Sequence, residues 1–199
     1  MKLIAGLSGL MIATSAAVGA EASGSGTNGE PDKSMTAAHE SFIKGDTKKA
    51  GEEIDKAGAY VKKESEKVAA DSKKEMKKAG EELDKLGKGV KDGTVKSGEE
   101  MKKTFAKVDN EIAGCWHKTA AESKKAGKDS TEALKKSGES LADAAKWSGH
   151  KLSEGAEASV EGVKKAGTAT GKGAKASAQE VDKWFKDIGD GIKDLGHKL

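Results

Sequence analysis

The sequence predicts an all-α protein of extended amphipathic helices joined by glycine-rich hinges, or a conditionally disordered chain, without a compact globular core. Three observations carry that expectation. Large apolar residues recur at seven- and eleven-residue steps: Ile43, Ile54, Val61, Val68; Met76, Leu83, Val90, Met101, Val108; Leu134, Leu141, Leu152, Val163. They are also sparse, since from Thr36 onward Leu, Ile, Val and Phe fill 23 of 164 positions, below the usual level for a globular core. The same stretch holds 20 of the 26 glycines, each costing ~0.8–1 kcal/mol relative to alanine inside a helix. A thin stripe and weak helices together predict low helicity in dilute buffer that rises on drying.

Residues 1–20, MKLIAGLSGLMIATSAAVGA, join Lys2 to an apolar run that ends in small residues, the layout of a secretory signal peptide. Cleavage after Ala20 or after Ala22 suits the small-residue rule equally, and an uncleaved membrane anchor is the alternative. The expected location is periplasmic, cell-envelope or secreted. Residues 21–35, rich in Gly and Ser and carrying the single proline, Pro31, form a flexible leader.

Residues 36–175 form an amphipathic Lys/Glu/Ala/Gly repeat region. Mixed steps of seven and eleven keep the apolar stripe nearly straight, because one falls short of whole turns by about as much as the other overshoots. KKAGEEIDKAG (48–58) is nearly repeated as KKAGEELDKLG (77–87), and the tetrapeptides GEEI, GEEL and GEEM begin at 51, 80 and 98. Their glycines read as weak points within helices, where alanine would raise helicity. Helices are expected over 36–86, 95–127, 130–165 and 177–198, with hinges at 87–93 and 167–175.

Charge excludes one class of function. The chain has 36 basic and 33 acidic residues, and every basic residue is lysine. Without arginine there is no planar fork for bidentate phosphate or guanine recognition, so specific nucleic-acid reading is excluded. No pattern of Ser, Cys, His or carboxylate places a nucleophile beside a base, so no catalytic residue and no cofactor is assigned. Cys115 is the single cysteine and reads as a small apolar residue of the helix face. Cys115 and His117 offer at most two ligands, too few for a metal site.

Residues 176–199 form a separate C-terminal amphipathic helix. On a helical wheel Val181, Trp184, Phe185, Ile188, Ile192, Leu195 and Leu199 share one face, and every Asp, Lys and Gly of the segment lies outside it. This is the candidate binding face. Its four lysines are balanced by four aspartates, so attraction to anionic lipid is weak. Docking on the rest of the chain, a membrane surface, and an apolar protein surface all remain open as its partner.

Residues 123–167, SKKAGKDSTEALKKSGESLADAAKWSGHKLSEGAEASVEGVKKAG, together with the two opening repeats, resemble the eleven-residue repeats of group 3 late-embryogenesis-abundant proteins. The resemblance implies a chain disordered in water, helical on drying or at membranes, and protective of membranes and proteins under water stress. A weaker resemblance, to exchangeable apolipoproteins, implies helices laid on lipid. The expected function is therefore non-catalytic: stress protection first, lipid- or envelope-surface binding second, self-association into a structural helical assembly third.

Overall fold

The computed structural model describes residues 29–168 and 176–199. The expected signal peptide and most of the leader lie outside the described residues, as do 169–175 of the second hinge. Seven helices follow one another: α1 (Asp32–Ile43), α2 (Thr47–Glu64), α3 (Ala70–Lys91), α4 (Gly98–Lys125), α5 (Thr131–Ser148), α6 (Glu154–Thr168) and α7 (Ala178–Lys198). Among the described residues there is no strand.

The single helix expected over 36–86 is three. Gly45 adopts φ +82°, a left-handed conformation that only glycine enters without strain, and the chain turns there. Asp46 then caps α2 by accepting a hydrogen bond from the Lys49 amide at 3.0 Å. The second break, between Glu64 and Ala70, is held from outside, since the Ala69 amide donates to Thr119 Oγ1 of α4 at 2.9 Å. Gly149, at φ +70°, likewise divides the helix expected over 130–165 into α5 and α6. At the 87–93 hinge only the end bends. Gly87 and Gly89 continue α3, and Gly93 follows it at φ +67°.

The expectation of no compact core is wrong. Ile54, Val61, Met76, Leu83, Val90, Met101 and Phe105 are buried together in a core built from α1 to α4, which Trp147 of α5 completes. A second core joins Ala113 and Ala120 of α4 to Leu134, Leu141, Val160, Val163, Ile188 and Leu195 of α5, α6 and α7. Helix α4 belongs to both and acts as the spine. Sparse apolar residues suffice because Ala38, Ala50, Ala57, Ala79, Ala106 and Ala144 are themselves fully buried. Small side chains let the helices approach closely, so each large one touches several neighbours.

The duplicated segments explain their own glycines. Helices α2 and α3 pack antiparallel, with Gly51 against Gly87 and Gly58 against Gly80. A Cβ on Gly58 would lie 3.0 Å from the Gly80 carbonyl oxygen and 2.7 Å from Asp84 Oδ1. The counterpart contacts are those of Gly87 with the Gly51 carbonyl and Asp55. Lys62 pairs with Asp84 at 2.6 Å, and Lys91 pairs with Asp55. Each of these residues in α2 has its copy 29 positions later in α3, so the two helices are related by a local pseudo-twofold axis. Glycine here buys backbone proximity rather than weakness. The third copy departs from the pattern: Gly98 opens α4 and faces the His39 imidazole.

Candidate functional site

The C-terminal helix makes its own start. Ser177 Oγ accepts from the Glu180 amide at 3.2 Å while Glu180 Oε2 accepts from the Ser177 amide at 2.7 Å, a reciprocal capping box. The Ser177 amide, and after it the Ser177 hydroxyl at 2.8 Å, donate to Glu180 Oε2 and hold that carboxyl below its ordinary range. Ion pairs Lys183–Asp187, Lys186–Asp190 and Asp194–Lys198 run along the solvent face. The helix therefore has local support beyond its packing. The SAQE tetrapeptide carried that capping signal in the sequence.

The apolar face is turned onto the protein and unevenly covered. Ile188 and Leu195 are fully buried in the second core. Trp184, Phe185 and Ile192 are half-buried against that core, and Val181 is half-buried near the start of the helix. Leu199 is 46% exposed, so it is the one member of the face left largely in water.

A cradle of small residues receives this face. The Trp184 indole lies on Gly162 of α6, where a Cβ would meet Nε1 at 2.7 Å. Gly138 of α5 accommodates the Ile188 tip, and Gly191 of α7 fits between Ala156 and Leu141, both 3.0 Å from an added Cβ. His117 of α4 covers the other edge. Its Nε2 lies 2.9 Å from the Phe185 carbonyl oxygen, the two rings meet edge to face at 5.5 Å, and Gly189 lies beneath the imidazole. Ser159 Oγ donates to Asp187 Oδ2 at 2.8 Å, Lys124 pairs with Asp182, and the Lys124 ammonium stands 5.1 Å from the Phe185 ring centroid. The hydrogen bond from Lys183 above all holds the Asp187 carboxyl below its usual range, with burial opposing it and Ser159 adding to it.

The cradle residues Gly138, Ser159, Gly162 and His117 lie on three different helices, so no local pattern announced them. Between α4 and α7 a shallow cleft of about 320 Å³ remains, lined by Gly114, His117, Phe185, Gly189 and Ile192 with Lys118, Lys186 and Lys193 among its polar residues. No described helix is long and apolar enough to cross a membrane.

Cys115 and His117, the pair the sequence sets close together, are buried or engaged elsewhere. Burial pushes the Cys115 thiol up to about 12, far from a reactive thiolate. His117, which the sequence pairs with Cys115, is turned to Phe185. Among the described residues no three of His, Cys, Asp and Glu converge as a group able to hold a metal. Comparison with protein-family models, curated proteins and solved structures finds no match to this chain.

Proposed function

We propose that the protein is a non-catalytic binder of apolar surfaces, a lipid bilayer above all, which works by releasing α7 from its cradle and shields membranes or proteins under water stress. The observation that carries this reading is the uneven cover of the α7 face. Of its seven large apolar residues, only Ile188 and Leu195 are fully buried. Leaving the cradle forfeits ~1.5–3 kcal/mol for each of those two, together with the partial cover of Trp184, Phe185 and Ile192 and of the core residues beneath them. A lipid surface returns that burial and adds cover for Val181, Trp184, Phe185 and Ile192, which the cradle leaves half wet. The capping box and the three ion pairs travel with the helix, so it needs little help to stay folded after release. The repeats that resemble late-embryogenesis-abundant proteins support the protective setting.

A reversible lock tests the release step. Cβ atoms on residues 191 and 156 would lie 3.0 Å apart, close to the about 3.5–4.5 Å of disulfide-bonded pairs. In a Cys115→Ala background, Gly191→Cys with Ala156→Cys should form a bridge that fixes α7 in place. The reduced protein is expected to co-sediment with phosphatidylcholine vesicles and the oxidised protein to stay in solution, with the same far-UV spectrum. Equal binding by both forms, or none by either or by the unsubstituted protein, overturns the reading.

A further inference from the structure

We propose that the cavity between α2, α4 and α5, floored by Asp109, is a binding site for a small primary ammonium compound. The cavity has a volume of about 180 Å³, with Val61 and Met76 among its apolar walls. Asp109 projects into it from the spine helix. The residue is only 2% exposed, and among the described residues its Oδ2 has no hydrogen-bond partner. A buried acceptor without a donor is costly in a folded protein, and an incoming N–H is its natural complement.

The rest of the lining selects charge and size. Glu64, Glu139 and Asp143 add carboxylates to the walls, and Lys136 is the one cation of the lining. That lysine is committed, because it pairs with Glu64 at 3.2 Å and covers the Trp116 ring at 4.2 Å from the centroid. Glu64 is matched a second time by Lys67, and Glu139 lies 3.8 Å from Lys135. Asp109 Oδ2 is an acceptor still to be answered, in surroundings that favour a positive charge. A volume of about 180 Å³ corresponds to roughly six waters at ~30 Å³ each, or an aliphatic amine of about that many heavy atoms. Covering the Trp116 face with Lys136 removes the aromatic platform that a quaternary ammonium would use, and the open acceptor asks for N–H donors.

Binding carries a proton signature. Burial, then Asp143 and then Asp32 push the Asp109 carboxyl well above its ordinary value, with Lys146 opposing them. From α1 Asp32 faces this group, from α2 Glu64 and Tyr60 share its cavity, and from α5 come Asp143, Glu139, Lys136 and Lys146. In the empty cavity the protonated form of Asp109 is therefore favoured over what an exposed aspartate would show. An alkylammonium ion that pairs with the carboxylate sends that proton to solvent, so charge and atoms balance: the O–H bond breaks, the ammonium keeps its three N–H bonds, and buffer takes the proton.

Isothermal titration of the full chain at pH 7 with n-butylammonium and 1,4-diaminobutane tests this, run in two buffers of different ionisation enthalpy. Saturable binding with net proton release is expected, and affinity should rise with pH. Asp109→Asn, which keeps shape and loses the charge, should weaken binding about tenfold or more. Ser140→Leu, which fills the cavity from α5 and leaves Asp109 in place, should also abolish it. Far-UV spectra of both variants establish that they fold. If butyltrimethylammonium, which lacks N–H donors, binds as tightly, if Asp109→Asn binds unchanged, or if no saturable heat is seen up to about 10 mM amine, the assignment is overturned.

Discussion

An ideal Cβ on Gly80 would lie 2.9 Å from the carbonyl oxygen of Gly58, and one on Gly58 would lie 3.0 Å from the carbonyl oxygen of Gly80. The contact is reciprocal and made by backbone, which has little room to yield. Gly80→Ala should therefore destabilise the protein by about 1–3 kcal/mol through overpacking, less the ~1 kcal/mol that alanine returns as helix propensity. Gly114→Ala, in the middle of α4 with nothing within 4 Å of the added Cβ, should stabilise by ~0.5–1 kcal/mol. Urea denaturation of the two variants checks the opposite signs. Stabilisation by both would mean that α2 and α3 do not touch at these glycines.

Because α4 contributes to both cores, the two halves should unfold together. Far-UV circular dichroism in dilute buffer should report a highly helical protein that melts in one cooperative transition, contrary to the low helicity that the sequence predicts. Phe105 is fully buried in the first core, and Phe105→Ala should cost ~3–5 kcal/mol. That loss should lower the melting of Trp184 fluorescence, in the second core, as much as it lowers the helix signal. Separate transitions for the two probes would show two independent units.

The α4 and α7 helices were legible. The stripe predicted 95–127 and 177–198, and the structure has Gly98–Lys125 and Ala178–Lys198. What the stripe concealed was the meaning of its small residues. Glycine was counted as a helix penalty and alanine as filler, although Gly51, Gly58, Gly80 and Gly87 are the contact surface of α2 and α3. Helix propensity is a local quantity, whereas close approach depends on a partner that sequence distance hides. The same holds for the α7 face. All seven members were legible, but the docking of Trp184 on Gly162 depends on a different helix. Asp109 was missed because an acid beside Val108 reads as the solvated edge of a stripe, and only the fold brings Asp32 and Asp143 to it.

Stability should depend on pH through Asp109. Its folded-state value is raised above the ordinary 3.8, so folding favours the protonated form. The resulting stabilisation is complete below the unfolded value and is lost as pH rises through the folded one. Asp109→Asn abolishes that loss. The variant should melt above the parent at pH 8, and the difference should shrink toward zero near about pH 4. A difference that is constant with pH would mean that Asp109 is not the group responsible.

Cys115 should be chemically silent in the native protein. Its side chain is buried, its Sγ lies 3.7 Å from the Ser72 carbonyl oxygen, and its thiol is pushed up to about 12. At pH 8 a thiol-reactive disulfide reagent should label it only at the rate of unfolding, and fully in denaturant. Rapid native labelling would place Cys115 at the surface.

The pseudo-twofold axis between α2 and α3 bears on how such a chain arises. A helix whose face is complementary to an antiparallel copy of itself needs no second invention, since duplicating its coding segment delivers a ready-made mate. Asp55 with Lys91 and Asp84 with Lys62 then record one recognition event written twice. A change at Gly58 breaks only its own half, and the compensating change must occur at Gly80, Leu83 or Asp84 in the mate. Ancestry would then be read in paired drift: the two copies grow unlike each other in residues that face water, as Ala59 and Lys88 already differ, while the glycines that touch across the axis change together or not at all.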